Sequence, residues 1–393
     1  MLLKVGAARS EQSRDAAARV VHLLRAMATT RQADTTYDKL REHLLRLYPG
    51  HHVVEVEPLA PDSGATAGAT AKAAGYGQPV HVELADARGG TLDLVWRTAS
   101  PNEFGHNRRA DRVAEAALAF DDFSQIPEHI AAIDVGAVRG NGELVSLRDA
   151  GEHYLITSYA RGTIYAEDLR RIASHGARDA DVARVDALAH YLGRLHTPIS
   201  DAVAYRRAVR DLIGDGEGIY GIVDGYPPDT PAASPERLAR LEASCATWRW
   251  RLRGREPRLT RTHGDFHPFN IVFGDGVDFT LLDASRGACG EPADDVTAMM
   301  VNYLLFALDV DGAWAGGLRR LWHRFWLGYL HERVDPDLFT VAPPWFAWRA
   351  LVVCNPRFYP AMSERARDTL LGFAEGMLDA EHMDPKRADE LFP

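Results

Sequence analysis

Cysteine and lysine are both scarce in this chain. Its 393 residues include three cysteines, which are odd in number, unclustered and without metal-ligand spacing. This pattern argues against a disulfide framework and a cysteine-ligated metal, so we expect reduced thiols and a cytoplasmic location. Lysine occurs only at Lys4, Lys39, Lys72 and Lys386. Nearly all positive charge is therefore arginine, which presents a planar fork of donors instead of a point charge.

Excess positive charge and long apolar runs are also missing. The formal net charge is −10 at pH 7, which argues against a nucleic-acid partner, because phosphate binding needs a basic surface. No apolar run approaches the length that spans a bilayer, and the N-terminus lacks the apolar core of a secretory signal. We therefore expect neither nucleic acid nor a membrane as a partner. We expect the protein to be a monomer or a homodimer.

Length and composition are those of a folded protein with more than one domain. Apolar residues make up 46% of the chain and charged residues 25%, which is typical of globular proteins. A chain of this length exceeds the usual single core, so two lobes are expected. We divide it into an N-terminal helical extension (1–50), a smaller lobe (51–160) and a larger lobe (161–393).

The spacing at which apolar residues recur changes near residue 51, from that of helices to that of strands. Before it, apolar residues recur at helical spacing in residues 10–27 and 36–47. After it, residues 53–56, 80–84 and 92–96 are predicted strands, and a Gly/Ala-rich segment, 61–77, separates the first two. A helix is predicted over residues 108–120 and an apolar strand near residues 153–157. The chain from Gly162 onward is predicted to be mainly helical, with its tryptophan clusters in the core.

The stretch Thr262–Phe273, THGDFHPFNIVF, carries the strongest chemical signal. It places Asp265 and Asn270 in a loop that runs into an apolar strand, and Asp283 closes the next apolar strand. The two apolar runs flank Gly-Asp-Gly, which predicts a hairpin with Asn270 and Asp283 at neighbouring ends. Phosphoryl transfer needs such groups. One carboxylate orients the attacking hydroxyl, while an amide oxygen and another carboxylate hold magnesium.

The H-G-D-x-H-x-x-N loop resembles that of the aminoglycoside phosphotransferase and choline kinase family. It differs from the protein-kinase loop, which has Arg at the position of Gly264. Residues 290–296 resemble the family's G-[DE]-P-x-x-D-[LV] segment, residues 153–162 its hinge, and residues 187–196 the helix that crosses its large lobe. The resemblance implies an α+β, two-lobed protein-kinase-like fold. Its N-lobe would be a small antiparallel β-sheet, and its C-lobe mainly helical.

The resemblance also implies roles for single residues. Asp265 would be the catalytic residue that orients and deprotonates the acceptor hydroxyl. Asn270 and Asp283 would hold Mg²⁺. His263 and Asp295 would hold the catalytic loop in place without contacting the substrate.

Nucleotide binding is where the chain departs from the family. The third strand of the family normally presents a Lys to the α- and β-phosphates, paired with a Glu on the next helix. Here Arg97 takes that position and Glu115 is its predicted partner, although the two could equally form a structural ion pair. By resemblance, the backbone of Ser158 and Ala160 in the hinge would bind the nucleobase of ATP or GTP. The sequence does not choose between these nucleotides.

The motifs disfavour two other enzyme activities. Residues 264–267 and 274–278 superficially resemble metallophosphoesterase segments, but Pro268 follows the His and no G-N-H-[DE] segment occurs. Protein-kinase activity is disfavoured because an A-P-E segment is missing. Ala284 and Ser285 stand where the family often has an aromatic and an acidic residue. These two residues, and the Arg in place of the family's phosphate-binding Lys, leave a second function open. The chain could be a scaffold or sensor of the same fold that binds nucleotide without catalysis.

The predicted function is transfer of the γ-phosphoryl of ATP or GTP to a hydroxyl of an aminoglycoside, amino sugar or similar small molecule. Residues 211–230 carry five acidic side chains and no basic one. Such a segment is either a solvated loop or a site for a cationic acceptor. Arg286 either meets phosphate or substrate charge, or is a surface arginine. The acceptor itself is not identified by the sequence.

Overall fold

The computed structural model describes residues 35–59, 77, 79–284 and 286–392. Contacts divide the chain into two units, Met1–Ile156 and Thr157–Pro393. The domain boundaries placed after residues 50 and 160 stay predictions. The helical stripe of residues 10–27 and the Gly/Ala-rich segment up to residue 76 lie outside the described residues.

The first unit contains a small antiparallel sheet in the order β1-β2-β3. Its strands are β1 (His51–Pro58), β2 (Val80–Asp86) and β3 (Thr91–Trp96), so the three predicted strands are confirmed. Alternate residues of β2 are buried, as expected for a strand with one face on a core. They pack against Leu40 and Leu44 of α1 (residues 35–47), which confirms the predicted second helix.

The rest of the first unit is only lightly packed. Helix α2 (Arg109–Asp122) confirms the predicted helix and has no buried side chain. A hairpin joins β4 (Gly136–Val138) to β5 (Leu144–Ser146). The apolar strand predicted near residues 153–157 is wrong, since residues 151–161 have no regular structure. A strand needs a neighbour for its backbone groups, and β4 and β5 pair only with each other among the described strands.

The second unit is mainly helical, as predicted. Its helices are α3 (Tyr165–His175), α4 (Asp179–Leu195), α5 (Ala202–Gly214), α6 (Ile219–Asp224), α7 (Pro235–Leu252), α8 (Pro292–Leu308), α9 (Arg319–Glu332), α10 (Leu338–Cys354) and α11 (Glu364–Ala380). Helices α8 and α10 are buried on nearly all sides, which places them at the centre of the core. The predicted burial of the tryptophan clusters is confirmed, because Trp322, Trp326, Trp345 and Trp348 are at most 5% exposed. None of the helices formed by the described residues combines the length and apolar character needed to cross a bilayer.

Two short ribbons in this unit frame the predicted catalytic motif. One is antiparallel in the order β6-β8-β9, formed by β6 (Thr163–Ile164), β8 (Ile271–Phe273) and β9 (Phe279–Leu281), and it confirms the predicted hairpin. The other pairs β7 (Thr260–Arg261) with β10 (Cys289–Gly290). Gly162 has φ +144°, and a Cβ there would lie 2.1 Å from the Phe273 carbonyl oxygen. Only glycine allows this close approach to β8.

Candidate functional site

Two loops of the second unit lie side by side. The loop of residues 262–270 connects β7 to β8, and the loop of residues 282–288 connects β9 to β10. Hydrogen bonds join them at both ends, from Thr262 N to Ala288 O at 3.3 Å and from Leu282 N to Asn270 O at 2.8 Å. The strand pairs therefore bring the predicted catalytic loop next to the loop that carries Asp283.

Asp295 anchors the turn before the predicted catalytic residue. It is fully buried in the first turn of α8. Its carboxylate accepts the backbone N–H groups of His263 at 2.7 Å and Gly264 at 2.8 Å, and His196 Nε2 lies 3.1 Å away. Burial alone would raise the pKa of Asp295, but the hydrogen bonds from His196 and the His263 amide outweigh it and lower that pKa. The ionised carboxylate therefore holds the loop.

The turn requires its glycine and is tied by its histidine. Gly264 has φ +84°, and a Cβ there would lie 3.1 Å from the carbonyl oxygen of Gly287. This explains the absence of a larger residue at that position. His263 Nε2 donates to Leu282 O at 2.8 Å, and its Nδ1 accepts from Asp265 N at 3.3 Å. These partners assign the neutral imidazole with the proton on Nε2, which links the two loops.

Asp265 is contacted on both carboxylate oxygens. Its Oδ1 accepts from Arg349 Nη1 at 2.8 Å and from Arg286 Nη2. Its Oδ2 lies 3.3 Å from Asn270 Nδ2 and 3.3 Å from His267 Nε2, so Oδ1 is the more firmly held oxygen. Burial alone would raise the pKa of Asp265. The hydrogen bond from His267 and the charges of Arg349 and Arg286 outweigh burial, and hold this pKa well below its ordinary value.

Arg349 is a site residue that sequence reasoning missed. It is 5% exposed and is the one charged residue in the sequence of α10. Its guanidinium contacts Asp265, donates to Gly264 O at 3.2 Å, and forms an ion pair with Asp294 of α8. Burial raises the pKa of Asp294, against the charge of Arg349. The sequence did contain a signal for Arg349, namely a lone arginine in an apolar helix. A charge that is buried in such a helix needs a partner of opposite charge.

Arg286 contacts Asp265 and is only partly exposed, so it is not a fully solvated surface arginine. Its Nε donates to Gly264 O at 2.8 Å, and its Nη1 lies 3.5 Å from Glu217 Oε2. Its guanidinium lies over the Trp348 ring, 4.7 Å from the centroid. Glu217 belongs to the acidic segment of residues 211–230, and its carbonyl oxygen accepts from Trp348 Nε1 at 2.8 Å. The acidic segment therefore reaches Asp265 through Arg286.

Asn270 and Asp283 provide oxygen donors next to Asp265. Asn270 Nδ2 donates to Asp265 O at 3.1 Å, so its amide oxygen is the atom left for a metal ion. Asp283 is exposed and has φ 30°, a left-handed conformation that Asp tolerates. Within the described ranges, no group of three or more His, Cys, Asp or Glu side chains is placed to hold a metal ion. Magnesium needs no such group, since one or two carboxylates plus phosphates and water commonly hold it.

Arg97 and Glu115 each contact a different residue in the described part of the chain, and their pairing at a bound nucleotide stays a prediction. The Arg97 guanidinium lies over the ring of Phe123, 5.4 Å from its centroid. Glu115 Oε2 lies 3.4 Å from His106 Nε2. Arg97 lies just beyond β3 and contacts a residue just after α2, whereas Glu115 of α2 contacts a residue just before that helix. The phosphate contact of Arg97 stays a prediction.

The hinge residues lie in irregular chain at the start of the second unit. Ser158 is exposed and Ala160 is half-buried, and neither belongs to a strand or helix. Their contact with the nucleobase stays a prediction.

Comparison with known proteins finds likeness only among solved structures. No family model and no curated protein matches the chain. One similar structure is a glucosamine kinase, 14% identical with a TM-score of 0.37, over 89% of this chain and 97% of that one. Another is an amicoumacin kinase in complex with AMP-PNP, Ca²⁺ and amicoumacin, 16% identical with a TM-score of 0.38, over 91% of this chain and 99% of that one.

A third similar structure is an aminoglycoside phosphotransferase from Streptomyces rimosus in complex with ADP and streptomycin. It is 16% identical with a TM-score of 0.34, over 69% of this chain and 90% of that one. Small-molecule kinases are also what the motifs of this chain resemble. At such identities and TM-scores, the likeness carries no argument about activity, which has to come from the residues of the chain.

Proposed function

We propose that this protein is a small-molecule kinase that transfers the γ-phosphoryl of ATP or GTP to a hydroxyl group. One observation carries the proposal, namely the union of Asp265, Asn270 and the loop of Asp283 in the second unit. The Leu282–Asn270 hydrogen bond at 2.8 Å joins the two loops. A carboxylate for the hydroxyl, beside two oxygen donors for a metal, is the set that phosphoryl transfer needs.

Asp265 orients the acceptor in this mechanism. Its Oδ1 is held by two guanidinium groups, whereas the contacts of Oδ2 are long, at 3.3 Å. The acceptor hydroxyl therefore donates its hydrogen bond to Oδ2. The hydroxyl oxygen bonds to the γ-phosphorus, and the bond between that phosphorus and the bridging oxygen breaks. The electron pair stays on the departing nucleoside diphosphate.

The low pKa of Asp265 fits this role. A carboxylate held well below its ordinary pKa is a weak base. In a loose transition state the hydroxyl proton leaves late, so orientation counts for more than basicity. The proton passes to Oδ2 and from there to water. Asp265 is thus ionised again before the next turnover.

Asn270 and Asp283 fit Mg²⁺ as oxygen ligands. When bound, the metal would screen the charge of the phosphate oxygens. Arg97 and the backbone of Ser158 and Ala160 are the proposed nucleotide contacts, and they rest on the family resemblance alone.

The proposed acceptor is an aminoglycoside, an amino sugar or a similar hydroxyl compound. Glu217 brings one carboxylate of the acidic segment within 3.5 Å of Arg286, which itself contacts Asp265. An ammonium group close to the reacting hydroxyl would find a partner in Glu217. Most of the Glu217 side chain is exposed, so this attraction is modest and weakens with salt.

The test is transfer of labelled γ-phosphate from ATP and from GTP to a panel of acceptors. The panel spans aminoglycosides, amino sugars, sugars, choline and nucleosides, with and without Mg²⁺. Asp265→Asn is the blank, and we expect it to lose several orders of magnitude in turnover while still binding nucleotide. The matched control is Asp275→Asn, the same change at an exposed carboxylate in the turn between β8 and β9.

We expect the Asp275 variant to turn over like the parent. Near-normal transfer by the Asp265 variant would contradict the proposed role of that carboxylate. If the parent binds no nucleotide, the kinase proposal itself fails.

A nucleotide-binding scaffold or sensor without catalysis is the second candidate. In the described residues Glu115 contacts His106 and does not pair with Arg97, which favours this candidate, because this glutamate then does not orient the cation meant for the phosphates. The discriminating measurement is calorimetric binding of Mg-nucleotide by the parent and by Asp265→Asn. Tight binding by both, with no transfer by the parent to any acceptor of the panel, would support the scaffold.

A further inference from the structure

Trp348 is the point at which the contacts of the candidate site converge. It is 2% exposed, on α10 beside Arg349. The Arg349 guanidinium lies 4.1 Å from the centroid of its ring and the Arg286 guanidinium 4.7 Å. Its Nε1 donates to Glu217 O at 2.8 Å. The same indole thus touches both arginines that hold Asp265 and the backbone of the acidic segment.

We propose that Trp348 is a positioning residue for Asp265 in the proposed phosphoryl transfer. The flat indole face gives two guanidinium groups a common surface, because arginine stacks on aromatic rings. Both groups then meet at a single oxygen, Oδ1 of Asp265. The second oxygen is thereby turned toward the acceptor. Trp348 touches neither acceptor nor nucleotide in this proposal and acts through Arg286 and Arg349.

Two other buried tryptophans of the unit, Trp326 and Trp345, lack these contacts. Trp326 and Trp345 are 4% and 2% exposed, and their indole N–H groups have no hydrogen-bond partner in the described part of the chain. Neither ring has an arginine over it among the described residues, where the cation–π pairs involve other aromatic rings. Their bulk fills the core. Trp348 adds to that bulk a stacking surface and a hydrogen bond, both directed at the site.

A misplaced orienting group lowers the rate without weakening nucleotide binding. A shift of about 1 Å in a reacting group costs about 100-fold in rate. We therefore expect Trp348→Leu to lower kcat by about 10- to 100-fold, with the KM for nucleotide nearly unchanged. Trp348→Phe keeps an aromatic face for the guanidinium groups, and is expected to restore most of the rate.

The experiment measures kcat and KM of the parent, Trp348→Leu, Trp348→Phe and Trp326→Leu, each checked for folding by circular dichroism. Trp326→Leu is the matched control, since it removes the same bulk from α9 without touching either arginine. We expect it to lose stability but to keep kcat. A fourth variant combines Trp348→Leu with Arg286→Met, and is compared with Arg286→Met alone.

If Trp348 acts through Arg286 and Arg349, Trp348→Leu lowers kcat by a smaller factor in the Arg286→Met background than in the parent. A kcat for Trp348→Leu equal to that of the parent overturns the positioning role, and so does an equal kcat loss in Trp326→Leu. The inference rests on the proposed function, but the two fail differently. If the parent transfers no phosphate, the proposed function fails. The crystal structure of Trp348→Leu then decides, and both guanidinium groups still on Oδ1 would overturn the positioning role.

Discussion

Asp295→Asn is expected to loosen the catalytic loop more than any change of similar size on the surface. The substitution keeps the shape of the side chain but replaces one carboxylate oxygen by an amide nitrogen. In the parent, Oδ1 accepts from Gly264 N at 2.8 Å, and Oδ2 from His263 N at 2.7 Å. Whichever way the amide is turned, an NH₂ group will face one of these backbone N–H groups.

The magnitude follows from the two losses. One charge-assisted hydrogen bond disappears, worth about 1.5–3 kcal/mol, and one buried N–H is left without an acceptor, at about 1–3 kcal/mol. Part of the second cost is recovered if the loop moves, so we expect a loss of about 3 kcal/mol. That corresponds to about a 100-fold change in the opening equilibrium of the loop.

The pH dependence has a definite sign. The pKa of Asp295 is lower in the folded protein than in the unfolded chain. Its contribution is therefore fully present above the unfolded value, about 4, and is lost as pH falls through the lower folded value. We expect the penalty of Asp295→Asn to be constant from about pH 6 to 8, and to shrink at acidic pH.

The assay is hydrogen–deuterium exchange of a peptide that contains the amides of His263 and Gly264, because exchange reports local opening. Exchange there should accelerate by about 100-fold at pH 7 in Asp295→Asn. Asp186→Asn is the control, since Asp186 pairs with Arg324 at the surface and such pairs contribute about 0–1 kcal/mol. Equal protection of the loop in Asp295→Asn and in the parent would refute the anchoring role.

Three further outcomes are expected. Asp283→Asn should weaken Mg-nucleotide binding by at least about tenfold, measured by calorimetry, and an unchanged affinity would remove Asp283 from the metal site. Arg258→Met should cost about 3–5 kcal/mol in urea unfolding, because Arg258 pairs with the fully buried Glu291, and a cost below about 1 kcal/mol would contradict this. Arg97→Met and Glu115→Gln should have additive effects on stability, with coupling below about 0.5 kcal/mol. A larger coupling in a double-mutant cycle would restore the predicted pair.

Local patterns sufficed for elements whose neighbours are close in sequence. The hairpin of β8 and β9 follows from two apolar runs around Gly-Asp-Gly, and α2 from its helical spacing. The hinge strand failed because strand formation depends on a partner strand, which no local pattern supplies. The pairing of Arg97 with Glu115 is likewise not decided by local sequence. The sequence contains two side chains of opposite charge, whereas in the structure Arg97 contacts Phe123 and Glu115 contacts His106.

The sequence by itself determined the chemistry of the motif, because Asp265, Asn270 and Asp283 stand in one loop and hairpin whose spacing is local. Only the tertiary structure shows why Gly162 and Gly264 are glycine, since a Cβ at these positions would lie against the carbonyl oxygens of Phe273 and Gly287, which are distant in the chain. Only the tertiary structure decided that Arg349, Arg286 and Trp348 surround the Asp265 carboxylate. These residues come from different segments, and the core packing of α8 against α10 brings Arg349 and Asp294 together. A lone charged residue in an apolar helix indicates that it needs a buried partner, but only the folded chain shows which residue that partner is.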